Sequence, residues 1–256
     1  MRINKYLAHV AGYSRREADR LIEQGRVSIA GHTLEIGARV QPGDIVAIDN
    51  KPVQSMTTYS YVLFHKPVGY VCSRRAQGDA PTIYELLPKQ YQPLKTVGRL
   101  DKDSSGLILL TDDGDFAHRM THPKFHKTKV YEVELDYPLE PLHQQMINDY
   151  GIALEDGNSR FSISRMEPEA GVRSQEIRDH NISDRSHNQA TANLDSYLTA
   201  PDSHRYEVTM QEGRNRQIRR TFAALGYTVT HLHRITFGPY SLGCLKPGHH
   251  EKTSAL

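Results

Sequence analysis

From residue 59 onward the chain is dominated by short apolar runs of strand character. YVLFHKP, KTVGRL, GLILLTD, KVYEVEL, RYEVTM and TVTHLHRITF are each compact, rich in β-branched or aromatic residues, and bounded by turn formers. Helical spacing is confined to segments around DFAHRM, LHQQMINDY and RNRQIRRTFAALG. Strands outnumber helices and the two types do not alternate. Repeated βαβ units are therefore excluded, and an α+β fold around a mixed, mostly antiparallel sheet is expected. Residues 167–204 break the pattern: they hold few large apolar side chains and no sustained period, which predicts a long mobile loop or hairpin extension inserted in this unit.

The first 48 residues read as a separate small α/β unit. INKYLAHVAG has the spacing of a short helix ending near Gly12. Ser14, with Glu17 three residues on, spells a capping box that opens a second helix, RREADRLIEQG, closed at Gly25. RVSIAG and VQPGDIVAID then predict strands separated by turns at Gly31-His32 and Pro42-Gly43. NKPVQSMTTYS is polar and carries a proline, so residues 49–58 are expected to link the two units, and 251–256 to form a tail.

Charge is informative through its placement. The net value is only +2. Yet Arg2, Lys5, Arg15, Arg16, Arg20 and Arg26 crowd the first 26 residues, and Arg214, Arg216, Arg219 and Arg220 fall within eight residues free of acids. Two basic clusters suit a polyanion, although each alone is compatible with a solvated helix face. No apolar run approaches the roughly 20 residues that span a bilayer. Two cysteines make neither a disulfide framework nor a zinc cluster, and the charged start lacks the apolar block of a secretory signal. A cytoplasmic protein is expected.

GRLDKDSSGLILLTDD (98–113) has near-calcium-loop spacing: Asp101, Asp103, Ser105, Gly106 and Asp112 fall at positions one, three, five, six and twelve. Its flanks are strand-like where an EF-hand needs helices, Leu109 occupies an oxygen-ligand position, and Asp112 is shorter than the usual glutamate. His118, His122 and His126 recur at helical spacing, but Pro123 interrupts the helix, so neither metal reading is adopted.

Several of these stretches resemble known families. R-x-N-K-Y-L, Y-S-R-R-E-A-D-R-L-I, G-R-V-S-I-A-G and P-G-D-x-V, in that order, are similar to the small alpha-L RNA-binding domain first known from a ribosomal small-subunit protein. HKPVGY (65–70), V-G-R-L-D-K-D-S-S-G-L, KVY (129–131) and GRNRQIRRTFAALG resemble the ordered motifs of the pseudouridine synthases, specifically the branch that modifies ribosomal RNA. The resemblance implies an isomerase that needs no cofactor. It breaks the C1′–N1 bond of a uridine, turns the base and rejoins it through C5. It also selects Asp101 as nucleophile or base, a choice that residue chemistry leaves open among Asp101, Asp103, Asp112 and Asp113. On the same ground Arg219 is expected to keep that carboxylate charged, and Tyr131 to stack on the uracil and assist proton transfer. A uridine in folded RNA must be flipped out to reach such a site, and Arg99 is expected to hold the opened strand. Lys5, Arg15, Arg16, Arg26, Arg214, Arg216 and Arg220 are the expected RNA contacts. The implied partner is ribosomal RNA, free or in assembling subunits, and the chain is expected to be a monomer. The alternatives are a non-catalytic RNA-binding or ribosome-assembly factor on the same fold, and a calcium-binding or carboxylate-using hydrolase of another class.

Overall fold

The computed structural model describes residues 1–53, 58–166 and 204–256. The predicted 167–204 insertion lies, apart from His204, outside the described residues.

The N-terminal unit places α1 (Ile3–Val10) and α2 (Arg15–Glu23) against a small antiparallel sheet ordered β2-β1-β3-β4. These strands are β1 (Val27–Ile29), β2 (His32–Thr33), β3 (Val46–Ile48) and β4 (Lys51–Pro52). Ser14 and Glu17 form the capping box: the Ser14 hydroxyl accepts from the Glu17 amide at 3.1 Å and the Glu17 carboxylate accepts from the Ser14 amide at 2.7 Å. Ile3, Leu7, Ala18, Ile22, Val27, Val40 and Val46 make the core. Strand β4 corrects the reading of 49–58 as linker throughout. Asp49 and Asn50 both take left-handed backbone (φ 50° and 62°), the geometry of a two-residue hairpin turn, which folds Lys51–Pro52 back onto β3.

The larger unit holds one long sheet, whose main path is ordered β11-β12-β8-β13-β7-β5-β15, and a separate two-stranded hairpin, β9–β10. In chain order its elements begin with β5 (Tyr61–Lys66), β6 (Lys95–Val97), β7 (Ser105–Thr111), α3 (Gly114–Thr121) and β8 (Lys129–Leu135). Next come α4 (Pro141–Gln145), β9 (Ile152–Leu154), β10 (Gly157–Ser159), β11 (Ser162–Arg165) and β12 (Arg205–Met210). The last are α5 (Gln217–Ala224), β13 (Val229–Phe237), β14 (Tyr240–Ser241) and β15 (His250–Thr253). Among the described residues every strand pairing is antiparallel except β13 with β7. All seven residues of β7 are buried, as a strand covered on both faces should be.

At the parallel crossover Gly106 is paired with Arg234, and a Cβ on Gly106 would lie 2.2 Å from the Arg234 carbonyl oxygen. Only glycine lets the two strands approach so closely. Strand β15 corrects the reading of 251–256 as a tail. His-Glu-Lys-Thr pairs with β5 at the sheet's edge, where polar side chains cost nothing because they face water.

The two units touch through Lys5 Nζ and Asp115 Oδ1, 2.8 Å apart, and through the Tyr59 hydroxyl, which meets the His9 ring at 2.9 Å.

Candidate active site

A cavity of about 330 Å³ opens on one face of the sheet. Lys129 and Tyr131 of β8, Met210 of β12, and Leu232, Arg234 and Phe237 of β13 form part of its wall. Their register explains why. Tyr131 is paired with Arg234, and Lys129 with both Phe237 and Met210, and residues directly opposite in an antiparallel pair share a face. Gly98 to Asp101, Ser104, and the Gln211–Ile218 segment complete the lining. A second cavity of about 550 Å³ shares Arg99, Leu100, Asp101, Asn215 and Arg216 with the first, so Asp101 stands where the two meet.

Asp101 is presented by a tight turn. Gly98 (φ 75°) ends the extended chain after β6, and the Ser104 amide donates back to the Asp101 carbonyl at 3.1 Å before β7 begins. The HKPVGY segment braces this turn from behind. Gly69 N–H donates to the Lys102 carbonyl at 2.8 Å, and Lys66 Nζ donates to the Ser104 carbonyl at 2.5 Å.

The calcium-like spacing has no loop behind it. Asp112 accepts from the Ser60 amide at 2.8 Å at the far end of β7, about 20 Å of extended chain from Asp103.

The guanidinium 3.6 Å from the Asp101 carboxylate belongs to Arg216, which also grips Asp103 through both oxygens at 3.1 and 3.0 Å. This differs from the expectation that Arg219 serves Asp101. Arg219 donates to the Val229 carbonyl at 2.7 Å and to the Asp103 carbonyl at 2.9 Å, and its Nε lies 3.3 Å from the Asp103 carboxylate. The cause is local backbone. Arg216 is left-handed (φ 47°, ψ 32°) at the residue that caps α5, and this turns its side chain toward the aspartates. A non-glycine residue there is strained by about 1–3 kcal/mol. For Asp103, burial pushes the carboxyl up, but the Arg216 hydrogen bonds and the Arg219 charge outweigh it and leave the group below its ordinary value.

The other predicted residues divide. Tyr131 is buried in the cavity wall, and Arg99 is exposed where the two cavities join. Arg15 and Arg16 are exposed at the start of α2. Lys5, Arg26, Arg214 and Arg220, expected on RNA, are each held by a carboxylate of the chain. Lys5 pairs with Asp115, Arg26 forms a two-pronged pair with Asp49, and Arg214 and Arg220 converge on Asp156. Arg214 also donates to the carbonyls of Asp156, Gly157 and Asn158, which ties the β9–β10 hairpin down.

Cations at the site that the sequence reading did not assign include Lys129 in the cavity wall, Lys66 and Arg234. Lys66 is fully buried, and that burial lowers its amine to about 8 against the pull of Cys72, Asp101 and Asp103. Arg234 is 2% exposed and donates from Nε to the Leu107 carbonyl at 2.8 Å. Its guanidinium lies 4.8 Å from the centre of the Phe237 ring. The sequence signal is weak, because the positions in phase with Arg234 are Thr230, Leu232 and Thr236, of which only Leu232 is apolar.

Residues 60–224 match the family model described as RNA pseudouridylate synthase, and residues 1–46 match the S4 domain. The chain is 33% identical over 244 residues to ribosomal small subunit pseudouridine synthase A of Pasteurella multocida (strain Pm70), across 94% of this chain and 90% of that one. It is 30% identical over 251 residues to ribosomal large subunit pseudouridine synthase B of Pseudomonas aeruginosa, across 94% of this chain and 56% of that one. A pseudouridylate synthase of known crystal structure superposes with a TM-score of 0.61 at 28% identity, over 99% of this chain and 96% of that one. Since the family model takes in most of the sheet and the cavity wall, the chain belongs to the RNA pseudouridylate synthases, an isomerase family, and carries an S4 domain ahead of its catalytic unit.

Proposed function

We propose that this protein isomerises a uridine of ribosomal RNA to pseudouridine, with Asp101 as the nucleophile. The observation that carries the reading is the placement of Asp101 at the junction of two cavities, with the Arg216 cation 3.6 Å away and Tyr131 in the same cavity wall. The two relatives named above are ribosomal enzymes of the small and the large subunit, which supports rRNA as the substrate class.

The Asp101 carboxylate, with a guanidinium 3.6 Å away, can attack C1′ of the ribose. The C1′–O bond to Asp101 forms as C1′–N1 breaks, and the electron pair stays on the uracil. The freed base turns, C5 attacks C1′ and displaces the carboxylate, the C5 proton leaves, and N1 takes a proton. The sum is an isomerisation without redox change. A cavity of about 330 Å³ takes a single nucleotide rather than a duplex, so the uridine enters flipped out of its stack. Arg15, Arg16 and Arg99 supply phosphate contacts, which makes binding salt-dependent.

The test uses purified protein and rRNA carrying tritium at uracil C5. The reading predicts release of one tritium per pseudouridine formed, at one site absent from the rRNA of cells lacking the protein. An unchanged pseudouridine map in such cells, with no release in vitro, contradicts it.

A further inference from the structure

Three buried polar atoms of the cavity-lining residues are unanswered: Arg214 Nε, whose terminal nitrogens are already held by Asp156 and the hairpin carbonyls, and the two atoms that carry the argument, on Ser104 and Arg234. Ser104 is 1% exposed and Arg234 is 2% exposed, and both residues line the cavity that holds Asp101 and Tyr131. Among the described residues, the Ser104 Oγ and the Arg234 Nη2 have no hydrogen-bond partner. Two neighbouring polar groups are satisfied. The Ser105 hydroxyl meets His233 Nδ1 at 2.8 Å, and Lys129 Nζ donates to the carbonyls of Lys127, Gln211 and Glu212 at 3.4, 3.1 and 3.3 Å. A dry donor without an acceptor is costly, and more so when it is charged. An acceptor brought by a ligand accounts for both atoms.

Arg234 is also rigid. Its Nε is fixed on Leu107, its plane rests by Phe237, and Tyr131 stands opposite it across the strand pair. A pre-set cation of this kind suits charge that develops during a reaction.

We propose that Arg234, with Ser104 beside it, holds the uracil anion between the two bond-forming steps. The inference rests on the isomerisation proposed above. When C1′–N1 breaks, its electron pair remains on the base and spreads onto the carbonyl oxygens O2 and O4, where donors in the wall meet it. Arginine fits this task because it cannot give up its proton. A group that protonated N1 would quench the anion and remove the electron density that C5 needs to attack C1′. Lys129 is committed to three carbonyls and leaves the role to Arg234.

The experiment compares full-length wild type, Arg234→Lys, Arg234→Gln and Ser104→Ala on two transcripts, one with uridine and one with 5-fluorouridine. Fluorine stabilises the departing anion, so the base needs less help from the protein. Consumption of the parent nucleoside is followed in single turnover by chromatography of nuclease digests.

Both Arg234 variants should bind RNA as wild type does and lose about 10²-fold in rate on uridine, with a loss at least severalfold smaller on 5-fluorouridine. Ser104→Ala removes a hydroxyl that makes no internal bond, so it should fold normally and lose about tenfold with the same attenuation. If Arg234→Gln does not fold, Arg234→Lys decides the claim for the charge, and Ser104→Ala decides that for the hydroxyl on its own. Full speed, or equal losses on both transcripts, overturns the inference for the residue concerned. A merely structural arginine would give equal losses. A wild-type protein that converts no uridine overturns the underlying reading instead.

Discussion

Arg214 and Arg220 at the β9–β10 hairpin, and Arg216 and Arg219 at the cavity lip, come from one seven-residue stretch and look alike in sequence. The first pair converges on Asp156 and on hairpin carbonyls, whereas the second converges on Asp103 and brings one guanidinium to Asp101. Both aspartates so gripped are pulled below their ordinary values, Asp156 chiefly by the Arg220 hydrogen bond and Asp103 by Arg216 and Arg219 against its own burial. The difference lies in the setting. Asp156 caps an exposed hairpin, while Asp103 adjoins a cavity and leaves Asp101 only loosely engaged. An arginine's role is thus set by which carboxylate answers it and where that carboxylate sits.

Removing Arg216 breaks the comparison hardest. Arg216→Gly removes the cation beside Asp101 and relieves the left-handed backbone. The rate constant for isomerisation should fall about 10²-fold, while stability to urea changes by no more than about 1 kcal/mol because strain relief offsets the lost ion pairs. Stability and activity that fall together would make Arg216 structural.

Lys66, which braces the lip through Ser104, sharpens the contrast by pH. Its folded value of about 8 lies below the unfolded value of about 10.4. Between these limits the unfolded chain binds more protons, so stability rises with pH across that window. Below it both states are protonated and the cost of burying the charge is fully present. Relative to Lys66→Met, wild type should gain stability between pH 8 and about 10 by no more than about 1 kcal/mol per pH unit. Urea titrations at three pH values measure this, and parallel curves would show that Lys66 is not depressed.

Asp156→Asn should do least. Arg214 keeps its carbonyl partners, so steady-state kcat/KM should stay within about twofold of wild type. A tenfold loss would bring the hairpin into the site.

Much of this architecture was legible in residues 1–53 and in the strand runs. The Ser14–Glu17 capping box and the apolar segments that became β5, β7, β8, β12 and β13 are local signals, and local physics decides them. What escaped depends on backbone inversions or on distant partners. Strand β4 needs two left-handed residues at Asp49-Asn50, and β15 is polar because it lies at an edge. That Arg216 joins Arg219 at the two aspartates depends on the left-handed backbone at Arg216, which its residue type does not signal. The place of Arg234 is set at the β7–β13 crossover, where Gly106 meets a residue 128 positions away, and no window of sequence contains both. Asp101 itself was picked out by its resemblance to a motif; its residue type alone left four candidates.

The most direct test measures tritium release from C5-labelled rRNA in single turnover by Asp101→Asn and Asp103→Asn side by side, with RNA affinity measured for each. The account predicts that Asp101→Asn binds RNA as wild type does and loses at least about 10⁴-fold in rate. Asp103→Asn should lose far less, because it only loosens the arginines around Asp101. Undiminished release by Asp101→Asn, or the larger loss at Asp103, would contradict it.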